Sequence, residues 1–247
     1  MKFFIDLSDE RNICLMNIIK HKNVEVYDLT EFDTLNPIAV VFSPAKKLTT
    51  DDLILFPDKS IIFSGNIDDK TKELLKNKNF IYKNFMQDEI FSIKNANLTA
   101  EGVLALILTE SKKSIFESNI LIFGAGRISK ACAILFNKLG VNFSICNYHD
   151  ENYKNAYIFC NSCYLGKEYA KDASRFDIII NTIPSLHLSK LDANLFKSGT
   201  MYIETASQNG TLRENSNLNF IPAPQLPKRF SCESAAKVMY DFINKEL

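Results

Sequence analysis

The chain of 247 residues has no tryptophan, only three histidines and eight glycines, and no net charge, with 29 basic and 29 acidic side chains. Each shortage excludes something. Balanced charge removes the positive field that gathers phosphate backbones or anionic lipid, so neither nucleic acid nor a membrane surface is an expected partner. No apolar run has the length of a bilayer span; the richest, Val103 to Leu108, is one face of a helix. The opening MKFFIDLSDER sets Asp6, Asp9, Glu10 and Arg11 straight behind a very short apolar run, which a signal peptide would not tolerate, and a soluble, cytoplasmic chain is expected. The histidines (His21, His149, His187) offer no second pair at ligand spacing to complete a zinc site with Cys160-Asn-Ser-Cys163, so no metal is expected. That CxxC follows the strand-like AYIF instead of opening a helix, and the six cysteines read as buried or loop thiols. The nineteen phenylalanines sit in apolar runs and read as core.

What is present is an alternation of short apolar strands and helices. Strands are predicted at Phe3–Leu7, Val24–Leu29, Ile38–Phe42 and Ser60–Gly65, with a helix at Arg11–Lys20. A helix over Leu98–Ser111 is expected next, capped by Asn97 or Thr99 with Glu101 in its first turn. A second alternation follows: strand Asn119–Phe123, helix Arg127–Leu139, then strands Val141–Cys146, Asp177–Asn181, Thr200–Glu204 and Asn219–Ile221, and a closing helix from Ser231. Strand, crossover, strand in this rhythm implies right-handed connections and parallel sheets. The fold class is therefore α/β, with two doubly wound, Rossmann-like domains.

The stretch ILIFGAGRISKACAILF, Ile120 to Phe136, runs from a strand into an amphipathic helix through a glycine-rich turn. In a dinucleotide fold the first glycine makes the tight turn, the second admits the pyrophosphate to the backbone and the third lets the helix pack on the strand. Gly124 and Gly126 fill the first two places and Ser129 the third, so the phosphate-facing part is intact. With Ala125 and Ile128 between and beside them, and Arg127 at the helix N-terminus, these residues form the candidate pyrophosphate site. A ribose-reading residue belongs about 20 positions on. There the chain reads Asn147-Tyr148-His149-Asp150, with neither a strand-ending acid nor an arginine, so the choice between NAD and NADP stays open.

Further segments join this turn: ANLTAEG at 96–102, INTIPS at 180–185, ETASQNGT at 204–211 and APQLP at 223–227, together with IFSG at 62–65. In order and spacing the set resembles the A subunits of dipicolinate synthase, over nearly the whole chain and most faintly before about Pro37. The resemblance implies a formate/glycerate-dehydrogenase-like plan, akin to the D-2-hydroxyacid dehydrogenases. Residues 1–97, completed by the helix 231–247, would form a substrate or partner domain, and residues 98–230 the NAD(P)-binding Rossmann domain. It also implies NAD(P)-dependent oxidation of dihydrodipicolinate, or of its hydroxylated tetrahydro precursor, to dipicolinate during sporulation. The reaction acts on the CH–CH or C–N bonds of a dihydropyridine dicarboxylate, beside a flavoprotein-like B subunit, and homo-oligomerisation is left open. Carried over by position, Gly124, Ala125, Gly126, Arg127, Ile128, Asn147, Tyr148, Asn181, Thr182 and Pro184 are the cofactor-binding candidates. Thr99, Glu101 and Ser207 are the catalytic candidates.

The chain also departs from those relatives. Ser129 replaces a glycine, Tyr148 stands where relatives carry an arginine, and Glu233 stands where they carry a lysine, with Lys228 and Arg229 as new cations nearby. A catalytically silent dinucleotide-binding subunit is therefore the alternative. Another NAD(P)-dependent dehydrogenase ranks below it, because the Arg, Glu and His set of the D-2-hydroxyacid enzymes is missing at the strand ends.

Overall fold

The computed structural model describes residues 2–33, 36–160, 162–184, 190–206 and 217–247. The chain divides into two compact units, Met1–Asn95 with Pro227–Leu247, and Ala96–Leu226.

The first unit contains β1 (Phe3–Ile5), α1 (Glu10–Lys20), β2 (Val26–Asp28), β3 (Ala39–Val41), α2 (Thr50–Leu53), β4 (Ile61–Ser64), α3 (Asp69–Asn77) and β5 (Ile81–Asn84). Its sheet has the order β2-β1-β3-β4-β5, every pair parallel. Alternate residues of each strand serve opposite faces. Phe3, Ile5, Val41 and Phe63 pack with α1 and with Phe242 and Ile243 from the far end of the chain, whereas Phe4, Val40, Phe42 and Ile62 pack with Leu53, Phe56 and Leu75. Burial on both faces is why these strands read as unbroken apolar runs. Most of the phenylalanines are core, Phe116 and Phe230 being exposed; the rings of Phe63, Phe85, Phe91 and Phe242 form one cluster with centroids as close as 4.9 Å.

The unit boundary falls inside α4 (Glu89–Glu110). The second unit continues with β6 (Ile120–Phe123), α5 (Arg127–Leu139), β7 (Phe143–Asn147), α6 (Asp150–Ala156), β8 (Cys163–Leu165), β9 (Ile178–Asn181), α7 (Lys190–Ala193), β10 (Met201–Glu204) and β11 (Asn219–Pro222). After α8 (Leu226–Phe230), α9 (Cys232–Glu246) closes the first unit. The second sheet runs β11-β10-β9-β6-β7-β8, all parallel, the order of a dinucleotide-binding Rossmann sheet. Ile120 and Ile122 face α4 and α5, and Leu121 and Phe123 face Tyr169, Phe176 and Phe196.

Two expectations need correction. The helix does not begin at Leu98: α4 starts at Glu89, where Asp88 accepts from the Phe91 N–H at 2.7 Å. Asn97, Thr99 and Glu101 therefore lie mid-helix, where backbone N–H groups already donate within the helix, and they open nothing. The AYIF segment, Ala156 to Phe159, is likewise no strand; it ends α6 and turns, and the strand forms only from Cys163. Among the described residues no helix is long and apolar enough to cross a membrane.

Candidate functional site: a glycine turn at the switch point of the second sheet

In the second sheet the strand order reverses between β6 and β9, and open α/β sheets bind ligands beyond the carboxyl ends of the strands at that point. Strand register sets Cys146, Phe123, Asn181 and Glu204 in one row across this end. The glycine turn follows Phe123.

Gly124 is buried and has φ +106°, a conformation that costs an L side chain strain. A Cβ there would lie 2.4 Å from Thr182 Oγ1 and 3.2 Å from Ile183 Cγ1, so the position accepts only glycine. Thr182 is fixed in turn, because its Oγ1 donates to the Phe123 carbonyl at 2.8 Å and its N–H to the same oxygen at 3.0 Å. Gly126 differs: among the described residues a Cβ would meet nothing within 4 Å, and the residue is exposed. It is the N-cap of the 13-residue helix α5 and brings no capping side chain. A tight first glycine, open space at the second and a helix N-terminus free of a capping side chain are what a pyrophosphate requires, so the turn fits a dinucleotide. Ser129, in the third place, is fully buried and its hydroxyl has no hydrogen-bond partner among the described residues.

The remaining cofactor candidates divide by what their side chains already do. Arg127 is exposed, Ala125 partly so, and Ile128 packs on the core while its backbone belongs to the helix start. Asn147 ends β7, buried, and its Oδ1 accepts from the His149 N–H at 2.9 Å. Burial pushes the Tyr148 phenol up to about 12, so it stays neutral. Asp150 is held 2.6 Å from Lys154 one helical turn on. Pro184 is exposed.

Asn181 is fully buried and its polar atoms are engaged within the chain. Nδ2 donates to the Ile183 carbonyl at 3.1 Å and to Glu204 Oε1 at 2.8 Å, and Oδ1 accepts from the Ile183 N–H at 3.0 Å. Glu204 Oε1 also accepts from the Ala206 N–H at 3.0 Å, and Thr205 Oγ1 donates to the Asn181 carbonyl at 2.6 Å. Sequence reasoning does not single out Glu204, although an acid ending the apolar run Met201–Glu204 is a signal that something must hold it.

Thr99 is buried and Glu101 exposed within α4, away from any helix end. Ser207 and His187 lie outside the described residues. Glu233, in the first turn of α9, is placed where a carboxylate complements the helix dipole, and Arg229 lies over the Phe230 ring with its guanidinium 4.8 Å from the centroid. Cys160 and Cys163 bring their sulfurs to 3.4 Å, and burial pushes the Cys163 thiol up to about 12. Among the described residues, no group of three or more His, Cys, Asp or Glu side chains is arranged to hold a metal.

A second polar cluster, also unassigned from the sequence, closes the switch point of the first sheet, between β1 and β3. Arg11 donates to Asp9 through Nε at 2.9 Å and a terminal nitrogen at 2.8 Å, and that nitrogen also donates to Ser43 Oγ at 2.9 Å; all three residues are buried. Burial alone would raise the Asp9 pKa, but the guanidinium and the Ser43 hydroxyl hold it down to about 2.

No protein-family profile matches the chain. The dipicolinate synthase A subunit of Bacillus subtilis (strain 168) is 26% identical over 225 residues, which covers 85% of this chain and 72% of that protein. The crystal structure of the dipicolinate synthase A subunit from Bacillus halodurans superposes with a TM-score of 0.86 at 18% identity, covering 99% of this chain and 97% of that one. More distantly, the NAD-dependent formate dehydrogenase of Staphylococcus aureus, solved in complex with NAD, gives 0.59 at 12% identity over 100% of this chain and 94% of that one. The fold is thus the two-part, Rossmann-like plan of the formate and D-2-hydroxyacid dehydrogenases, and sequence and fold together relate the chain to the dipicolinate synthase A subunits.

Proposed function

We propose that the chain is an NAD(P)-dependent oxidoreductase of the dipicolinate synthase A type, oxidising dihydrodipicolinate or its hydroxylated precursor to dipicolinate beside a flavoprotein-like partner. The observation that carries this reading is the glycine turn: Gly124 locked against Thr182, Gly126 open, and a helix N-terminus behind them at the switch point. The likeness in sequence to a dipicolinate synthase A subunit supports the substrate class.

The backbone of Gly124 to Ile128 would hold the pyrophosphate, with Arg127 adding charge, and the end of β7 at Asn147 and Tyr148 would face the adenosine ribose. A bound dinucleotide would supply the hydride acceptor for the dihydropyridine ring, the proton being left to water or a base, with aromatisation favouring the oxidation. The chain's own work is then to orient a dianion beside that ring and keep it there.

Calorimetric titration with NAD and NADP is the test. Native protein should bind one of them in the micromolar range, and Gly126→Val, whose side chain fills the open space at the turn, should weaken binding at least ~30-fold, about 2 kcal/mol. The chemistry is tested by dipicolinate formation from dihydrodipicolinate with the flavoprotein-like partner present. Binding without turnover would favour the silent-subunit reading, which the altered segment around Glu233 supports; no binding of either nucleotide would sink the proposal.

A further inference from the structure

Among the polar groups at the switch point, the Asn181–Glu204 pair stands apart because it ties the chain leaving β9 to the chain leaving β10. Asn181 ends β9 and Glu204 ends β10, adjacent in register, both buried, with Nδ2 2.8 Å from Oε1. Through the Ile183 N–H and carbonyl, Asn181 holds the chain just beyond β9; through the Ala206 N–H, Glu204 holds the chain just beyond β10. Thr182, one residue on from Asn181, presses on Gly124 and bonds the Phe123 carbonyl, so the same bracket reaches the glycine turn. A carboxylate is a costly group to bury, and a neutral side chain would fill the space with no such penalty. Geometry accounts for its place: one oxygen accepts from two donors on neighbouring strand ends, a convergence that holds Asn181 and Ala206 at once.

In a dinucleotide fold the half-sheet on this side of the switch point serves the second mononucleotide, here the nicotinamide half, while the β6–β7 side serves the adenosine half. Resting on the cofactor reading above, we infer that Asn181 and Glu204 are positioning residues for the nicotinamide end of the site. They set the residues just beyond β9 and β10, at Ile183 and Ala206, and do not themselves hold the cofactor. Of the cofactor candidates, Asn181 therefore acts through its neighbours and not by contact.

The test compares two probes on folded protein: ADP-ribose, with its 2′-phosphorylated form, which lacks the nicotinamide, and NADH or NADPH, whose bound nicotinamide fluoresces. Glu204→Leu should weaken NAD(P)H about tenfold and return its emission toward that of the free cofactor, while ADP-ribose affinity stays within about twofold. Glu204→Gln keeps an acceptor at the same place and should behave as native. Asn181→Asp sets two carboxylates side by side, which ionise together only at a cost. Its NAD(P)H signal should survive at low pH, where the pair shares a proton, and fade as pH rises; adding Glu204→Gln should remove that pH dependence. Equal loss of both probes in Glu204→Leu, or loss of neither, overturns the inference. If that variant does not fold, a pH-independent Asn181→Asp overturns it instead. Native protein that binds neither probe removes the cofactor reading itself, and this inference with it.

Discussion

Asp9 shows how one carboxylate can set a pH limit on a fold. Its pKa is held down to about 2 from an ordinary 3.8, so the native state binds its proton less readily than the unfolded chain does. The resulting stabilisation, about 2 kcal/mol, is fully present above pH 4 and is lost as pH falls through 2. Urea melts at pH 3 and pH 7 should show about half of this loss in native protein, whereas Asp9→Asn should lack that part of the slope and be less stable at pH 7 by roughly 3 kcal/mol, since Arg11 is then buried without its partner. Ser129 makes the opposite case. Among the described residues its buried hydroxyl has no hydrogen-bond partner, so Ser129→Ala should raise stability by about 1 kcal/mol in thermal melts and leave dinucleotide affinity unchanged. The residue that most looks like a defect in the fingerprint is thus a matter of stability.

Elements differ in how plainly they can be read from sequence. The β6–α5 unit is legible because a four-residue apolar strand, a glycine whose φ is positive and a helix with a strong apolar face all mark the same boundary. The start of α4 is not, since Glu89 to Asn95 is polar enough to read as a loop, while Asn97 and Thr99 imitate a cap in mid-helix. Tertiary burial of Phe91, Ser92 and Ala96 overrides that local signal. The edge strands β5 and β8 escape sequence reading for a related reason: an edge strand needs fewer apolar residues, so Tyr82-Lys83-Asn84 and Cys163-Tyr164-Leu165 carry little pattern. At the candidate site, the glycines are legible and the bracket behind them is not, because Asn181 and Glu204 meet only through strand register across 23 residues. Substitution separates the true start of α4 from the apparent one. Asp88→Ala should cost about 1 kcal/mol by chemical denaturation, and Asn97→Ala should be neutral or stabilising by a few tenths.

At the scale of the molecule, each unit has its own sheet, and each sheet is covered on both faces. The first unit depends on the far end of the chain, because α9 places Ala236, Met239, Phe242 and Ile243 in its core. Burial of the three large side chains contributes roughly 2 kcal/mol apiece, a substantial part of a typical domain's total stability. Truncation after Ser231 should therefore leave residues 1–95 open to limited proteolysis while residues 96–226 stay resistant, with mass spectrometry of the fragments as the readout.

The return of α9 to the first unit also fixes an order of events during synthesis. On the ribosome, β1 to β5 emerge before the second unit but lack part of their core until residues 232–246 have been made, whereas the second unit has all of its described strands as soon as β11 is out. The part of the chain translated second is then the first able to complete its fold, and the earliest strands must wait, with apolar surface exposed, for roughly two hundred residues at about 5–20 residues per second. Such an interval leaves apolar surface open to chaperones and to misassembly, and it follows from α9 being encoded after the second unit.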